Sequence, residues 1–279
     1  MRYNYSIIVP YRDKYDLFVK AVDSIPDRND IQIVIVDNAI EALPKEKLPT
    51  KQQSKVVYTT SSPTKGAGCA RNEGLKYVEG KFLLFLDADD YFTPEAFDSF
   101  DKYLNSDYDI VFFKPTSIRL CDGTMSDRHV KYSSYIDDYN LNNNDCRLRY
   151  WWVAPWSKLF RTEFVKQGAF QFDEIKVSND SWFSLMTGHY AVKICADDAI
   201  VYVVTELGAG SSLTKMTSRE NSFIRFDTAI RKYKFLESVG RKDQCPRLLG
   251  FVRIAMKNFG FVEALRYVKY ALKNRVGIL

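Results

Sequence analysis

Short, nearly unbroken apolar runs punctuate the first ninety residues: Ser6–Pro10 (SIIVP), Ile31–Asp37 (IQIVIVD), Lys55–Thr60 (KVVYTT) and Lys81–Asp87 (KFLLFLD). Runs of this length, rich in β-branched and aromatic residues, predict strands covered on both faces. Between the first two lies Tyr15–Ile25, where Leu17 and Ala21, and Phe18, Val22 and Ile25, recur at helical spacing. Between the third and fourth, Ala67–Val78 places Ala70, Leu75 and Val78 on one side. Strand–helix–strand repetition implies a mostly parallel sheet with helices on both faces. Thr93-Pro94-Glu95 reads as a helix start, with a hydroxyl cap, proline at the first helical position and an acid in the first turn. Tyr108–Lys114 (YDIVFFK) predicts another strand.

Past residue 115 the rhythm breaks. Ser117–Asn144 is polar and Asp/Asn/Ser-rich, which predicts loop with short irregular strands, and Asn140–Asp145 (NLNNND) has the most disorder-like composition. Pro155–Gln167 and Asp180–Tyr190 read as helices and Val192–Thr205 as a strand pair. From about Arg219 onward the chain is helical and basic. These readings divide it into an α/β domain, residues 1–215, and a helical C-terminal region, residues 216–279.

Composition narrows the class. The 279 residues are 46% hydrophobic and 27% charged, which suits a globular protein with a core that needs no staples. A net charge of +5 without a dense basic run argues against nucleic acid. The five cysteines, Cys69, Cys121, Cys146, Cys195 and Cys245, are scattered and form no CxxC pair, so a reducing compartment is expected and neither a zinc knuckle nor a disulfide framework is supported. The N-terminal residues carry no apolar stretch of signal-peptide length, and no window approaches the 18 apolar residues of a membrane span.

Chemistry concentrates where predicted strands end. Asp37 and Asp87 follow two of them, and ligands of open α/β sheets bind beyond the carboxyl ends of the strands. Either acid alone also fits a simple turn cap. Asp87-Ala88-Asp89-Asp90 sets three carboxylates in four residues, which repel unless a cation or water screens them. Mg²⁺ or Mn²⁺ suits such oxygens, and a solvated turn is the plainer reading. Lys65-Gly66-Ala67-Gly68 opens a predicted helix, where backbone N–H groups can cradle phosphate. Arg71 stands where a dinucleotide fingerprint wants its third glycine, so it reads as a phosphate contact or a helix-surface arginine. In Val177–Phe183 (VSNDSWF), Asn179 or Ser178 can cap a helix, while Asp180 can cap or act as a general base. Trp156 and Trp182 fit sugar stacking or core packing equally; Trp151, Trp152, Lys158 and His189 carry weaker signals.

In this order the segments resemble family 2 glycosyltransferases, inverting enzymes of the GT-A fold, of the bacterial surface-polysaccharide type. Tyr5–Asp13 (YSIIVPYRD) resembles the opening strand, IQIVIVD the second, Gly66–Gly74 (GAGCARNEG) the glycine–alanine–arginine–asparagine stretch, and FLLFLDADD the strand ending in D-x-D. Pro155–Arg161 (PWSKLFR) and Gly210–Thr214 (GSSLT) resemble later segments, and VSNDSWF stands at the acid–aspartate motif. Asn38 and Asn179 replace acids usual in the family. The resemblance implies a nucleotide-sugar donor, UDP by family habit, held by Pro10, Tyr11, Asp13, Asp37, Lys65, Gly66, Arg71, Asp87 and Ala88. It implies Mn²⁺ or Mg²⁺ on Asp89 and Asp87, Asp180 as catalytic base, and Trp156, Asn179 and Trp182 toward a glycan or lipid-linked acceptor. A nucleotidyltransferase, a dinucleotide enzyme and a non-catalytic glycan- or nucleotide-binding relative are the alternatives. A cytoplasmic location follows, with peripheral contact to the inner membrane face if the basic amphipathic stretch Phe261, Leu265, Val268, Leu272 rests on lipid rather than on the catalytic domain.

Overall fold

The computed structural model describes residues 2–206 and 218–278; the Gly210–Thr214 motif lies outside them. The predicted strands appear as β1 (Tyr3–Tyr11), β2 (Ile31–Asp37), β3 (Lys55–Thr60) and β4 (Gly80–Phe85), interleaved with α1 (Tyr15–Asp23) and α2 (Gly66–Leu75). β3–β2–β1–β4 pair in parallel, so their carboxyl ends share one edge. Chain direction along the sheet reverses on either side of β1, which places the crevice of such folds there. β2 is buried along its whole length, as its unbroken apolar run requires.

The second half departs from local pattern. After β5 (Tyr91–Phe92), α3 is short (Ala96–Asp101), and the Thr93 hydroxyl donates to the Ile200 carbonyl instead of capping it. β6 runs on to Arg119 (Ile110–Arg119), and the polar stretch read as loop contains α4 (Val130–Asn142), anchored by buried Tyr132 and Ile136. Two aromatic or aliphatic anchors at i, i+4 suffice where tertiary packing outweighs propensity. Asn143, in the left-handed conformation, ends α4, and α5 (Cys146–Tyr150) follows directly. Pro155–Gln167 is not one helix. Lys158–Arg161 forms β7, inserted antiparallel between β4 and β6, and only α6 (Thr162–Gln167) is helical. After α7 (Ser181–Tyr190), the expected strand pair is a single strand, β8 (Ile194–Glu206), parallel to β6 with register shifts around Lys114 and Pro115. Proline offers no N–H to a ladder, which fits the irregularity there. The full order is β3-β2-β1-β4-β7-β6-β8-β5, a mixed α/β sheet.

α8 (Arg219–Ser238), α9 (Leu248–Phe259) and α10 (Phe261–Lys273) gather their own apolar cluster, in which Phe226 stacks on Tyr267 at 4.5 Å. A smaller cluster of Tyr150, Leu185 and Leu236 joins α8 to the sheet-bearing part. α10 buries Ala264, Tyr267 and Ala271. Its larger apolar residues point the other way: Phe261 and Leu272 are each 66% exposed and Leu265 is exposed as well. All five cysteines are free thiols.

Candidate active site

Asp180 stands at the N-terminus of α7, at the strand-end edge of the sheet, and Arg71 ties it into the crevice. Arg71 rises from α2, is buried, and its guanidinium forks. Nη1 donates to Asn179 Oδ1 at 3.0 Å and Nη2 to Asp87 Oδ1 at 2.5 Å. The end of β4, the helix after β3 and the loop before α7 therefore meet in one charged cluster. Asn179, expected at the acceptor, holds Arg71 through its amide oxygen. Arg71 Nε is buried with no hydrogen-bond partner among the described residues, and the guanidinium lies 5.3 Å from the Phe172 ring. Burial raises the Asp180 pKa above the ordinary aspartate value; the Arg71 charge opposes the rise, Asp87 reinforces it and Lys158 opposes it.

The three acids of the Asp-Ala-Asp-Asp turn do not share one cation. Asp87 pairs with Arg71, and Asp89 lies 3.7 Å from Lys14 Nζ. Asp90 is turned inward: it accepts from the Tyr202 hydroxyl at 2.9 Å and from Thr205 N–H at 2.7 Å. Burial and its acidic neighbours Asp89 and Asp87 push the Asp90 pKa well up. Asp90 thus fixes the turn to β8 and leaves Asp87 and Asp89 at the surface of the crevice. The carboxylate side chain of Asp89 keeps 42% of its exposure and that of Asp87 28%. Among the described residues no group of three or more His, Cys, Asp or Glu is placed to hold a metal. Two carboxylates nevertheless fit Mg²⁺ or Mn²⁺, which take their remaining oxygens from substrate phosphates and water.

The other expected donor contacts divide. Asp37 is 2% exposed, and its oxygens accept from Ala39 N–H, Leu43 N–H and the Tyr58 hydroxyl, so it organises the turn after β2. Asn38 likewise holds the neighbouring loop, donating to Ser61 Oγ and the Ser62 carbonyl. Tyr11 packs its ring on Phe18 at 4.6 Å, while Pro10 is partly open, Ala88 is partly open beside Asp87, and Asp13 is exposed beside Arg12. Lys65 is paired with Glu174 at 2.8 Å. The two glycines of the expected phosphate cradle also permit a close approach. A Cβ on Gly66, whose φ is +74°, would sit 2.8 Å from the Ile175 carbonyl oxygen, and one on Gly68 2.0 Å from that of Asp173. They let the segment that carries Asn179 and Asp180 lie directly on α2.

The two tryptophans expected at the acceptor make packing contacts. Trp156 is buried and stacked on Tyr202 at 5.3 Å with an interplanar angle of 11°. Trp182 meets Phe235 of α8 and carries the Arg231 guanidinium 3.6 Å above its ring. Lys158, a minor candidate from sequence, is 1% exposed, donates to the Trp152 carbonyl at 3.1 Å and lies over the Phe112 ring. Burial drives its amine well below the ordinary lysine range. Residues of α8 and α9 outside any motif, Arg225, Thr228, Lys232 and Phe251, line with Ser178 and Ser181 a cavity of about 200 Å³. The basic composition of this stretch was its only signal. A depression of about 300 Å³ between α2 and α6 contains none of the charged cluster.

Known proteins match this chain in sequence and fold. Residues 6–168 fit the family model described as Glycosyl transferase family 2. The chain is 26% identical over 223 residues to the poly(ribitol-phosphate) beta-glucosyltransferase of Bacillus spizizenii, covering 75% of this chain and 33% of that protein. It is 23% identical over 220 residues to the poly(ribitol-phosphate) beta-N-acetylglucosaminyltransferase TarS of Staphylococcus aureus, covering 73% and 36%. This chain thus spans about a third of the length of both relatives. The crystal structure of S. aureus TarS 1-349 in complex with UDP-GlcNAc superposes with a TM-score of 0.70 at 21% identity, over 97% of this chain and 80% of that one. The mannosyltransferase PcManGT from Pyrobaculum calidifontis, in complex with GDP-Man and Mn²⁺, gives 0.56 at 14%, over 98% and 81%. These two likenesses concern the fold, which is that of GT-A enzymes. With the strand-end acids, the arginine between them and a model covering more than half its length, this chain belongs to glycosyl transferase family 2.

Proposed function

We propose that the protein moves a sugar from a nucleotide-sugar donor to an acceptor hydroxyl with inversion at the anomeric carbon, in the building of a surface polysaccharide. The observation that carries this reading is the Asp87–Arg71–Asn179 linkage, which binds the end of β4 to the residue before Asp180. The diphosphate of the donor lies over Asp87 and Asp89, with Arg71 meeting its negative charge and Pro10, Tyr11, Asp13 and Lys65 along the nucleotide side. Asp37 supports that side through its turn, and any direct contact with the base uses an acceptor site its three donors leave over. Asp180 takes the proton from the acceptor hydroxyl as that oxygen attacks from the opposite face. Mg²⁺ or Mn²⁺ on Asp89 and Asp87 would offset charge on the departing nucleoside diphosphate. UDP is the proposed nucleotide, as in the TarS complex, and a polyol-phosphate polymer or lipid-linked glycan the proposed acceptor, as the relatives' names suggest. Residues 1–215 form the catalytic domain and 216–279 the helical region in this reading. The protein is cytoplasmic, and the open apolar stripe of α10 rests on the membrane surface. Among the described residues no helix is long and apolar enough to cross a membrane.

The test is a donor panel. Common nucleotide sugars are incubated with the protein and Mn²⁺ or Mg²⁺, and nucleoside diphosphate release is followed with and without EDTA, with polyol-phosphate acceptor present. Asp180→Asn is expected to lower turnover by about 10²–10⁴-fold while donor binding persists, the usual contribution of a general base. Unchanged turnover in that variant rejects Asp180 as base. Absence of donor binding in the wild type rejects the transferase reading, and binding without turnover on any acceptor favours a non-catalytic relative.

A further inference from the structure

The turn that carries Asp87 and Asp89 is gripped from behind by β8. The Asp90 N–H donates to the Asp87 carbonyl at 3.0 Å and closes the turn on itself. The Tyr202 hydroxyl then bridges its two ends: it accepts from Asp87 N–H at 3.1 Å and donates to Asp90 Oδ2 at 2.9 Å. Thr205 adds its N–H to Asp90 Oδ1 at 2.7 Å and its hydroxyl to the Asp89 carbonyl at 2.5 Å. These contacts from β8 fall on backbone groups and on the third acid. The carboxylates of Asp87 and Asp89 are left to the crevice. Resting on the reading of those two acids as the donor side of the site, we propose that Tyr202 is a positioning residue for the transfer reaction: its hydroxyl presets the Asp87–Asp89 turn for a divalent ion and a diphosphate before either binds.

The phenol is itself held. Tyr202 is 0% exposed. Trp156, from the PWSKLFR segment, stacks on its ring at 5.3 Å and 11°, and Phe92 meets it edge-on at 5.8 Å. Trp156 in turn meets Tyr132 of α4 at 4.9 Å. The segment's tryptophan thus works from behind the turn, by fixing the ring whose hydroxyl fixes the acids. A ligand that meets groups already in place is spared the cost of ordering them. The hydroxyl is suited to the bridge because it accepts and donates at once. Phenylalanine would keep the ring and lose both contacts, leaving the buried Asp87 N–H and one Asp90 oxygen short of a partner. Tyr5 offers the matching case away from the site. It too is 0% exposed, and its hydroxyl donates to Asp101 Oδ1 at 2.8 Å, but it stands near the start of β1, whose far end meets the crevice.

The test compares Tyr202→Phe and Tyr5→Phe in the whole protein. Each removes one hydroxyl from a buried carboxylate, and thermal melts follow the stability of both. Mn²⁺ binding is read from the paramagnetic resonance signal of the free ion, and UDP binding by calorimetric titration with Mn²⁺ present, well below either melting temperature. Tyr202→Phe is expected to bind both roughly tenfold more weakly, the usual consequence of one buried polar group left unpaired. Tyr5→Phe is expected to bind both as wild type even where it melts as early. In turnover, Tyr202→Phe should show its change in donor KM more than in kcat. Wild-type affinity in Tyr202→Phe, or an equal loss in Tyr5→Phe, overturns the proposal and leaves the donor site standing. A wild type that binds neither Mn²⁺ nor UDP overturns the donor-site reading, and the proposal with it.

Discussion

Asp180 and Arg71 show how a single charge is tuned by distant neighbours. Burial raises the Asp180 pKa, and a general base works only when deprotonated. The acid limb of kcat/KM should therefore lie above the ~3.9 of a free aspartate. Asn179→Asp keeps an oxygen acceptor for Arg71 and adds a negative charge beside Asp180, which disfavours its ionisation. The limb should move to higher pH in that variant; a profile identical to wild type would show that Asn179 has no electrostatic reach to the base. Asp87, Asp89 and Asp180 were legible as residue types at motif spacing. Their partners were not. Arg71 meets an oxygen 108 positions away, and Asp90, which reads in sequence like its neighbours, is sunk against Tyr202 and Thr205 more than a hundred residues on.

At the scale of elements, α2 and the 173–179 segment are one unit. Gly68 permits the approach, since a methyl there would press 2.0 Å from a backbone oxygen that has no rotamer to escape into. Gly68→Ala should cost about 1–3 kcal/mol of stability, the usual range for overpacking, read as a lower urea midpoint with an unchanged slope. A midpoint equal to wild type would mean that the segment shifts freely and that the Arg71–Asn179 contact needs no such closeness. Elements with strong internal periodicity, β1 to β4 with α1 and α2, were predictable because their apolar faces repeat locally. β7 was not. Lys158–Arg161 is four residues long and runs straight into α6, and it is a strand because the gap between β4 and β6 supplies hydrogen-bond partners on both sides. α4 failed in the opposite sense: its polar surface hid two anchors that only the neighbouring sheet makes decisive.

For the whole molecule, the helical region packs on the α/β part through α8 and leaves an apolar stripe open. Phe261, Leu265 and Leu272 are exposed, and Lys269 and Lys273 beside them have no ion pair among the described residues. Such a face suits anionic lipid, and two copies facing each other would oppose like charges. Co-sedimentation with vesicles containing phosphatidylglycerol should retain the wild type at low salt. It should release a Phe261→Ser, Leu272→Ser variant, while vesicles of neutral lipid retain neither; equal partition of both proteins on anionic vesicles would reject the contact. The amphipathic pattern of this stretch was evident in the sequence, but not whether Phe261 or Tyr267 would face inward. The sequence by itself determined the alternation of strands and helices, the acids at the strand ends and the basic helical tail, because backbone periodicity and burial preference act over a few residues. Only the tertiary structure decided the insertion of β7, the pairing of Arg71 with Asp87 and Asn179, and the inward turn of Asp37 and Asp90. Each of these depends on which distant segments come to share a surface, and a carboxylate or a ring takes its role from the neighbour that reaches it.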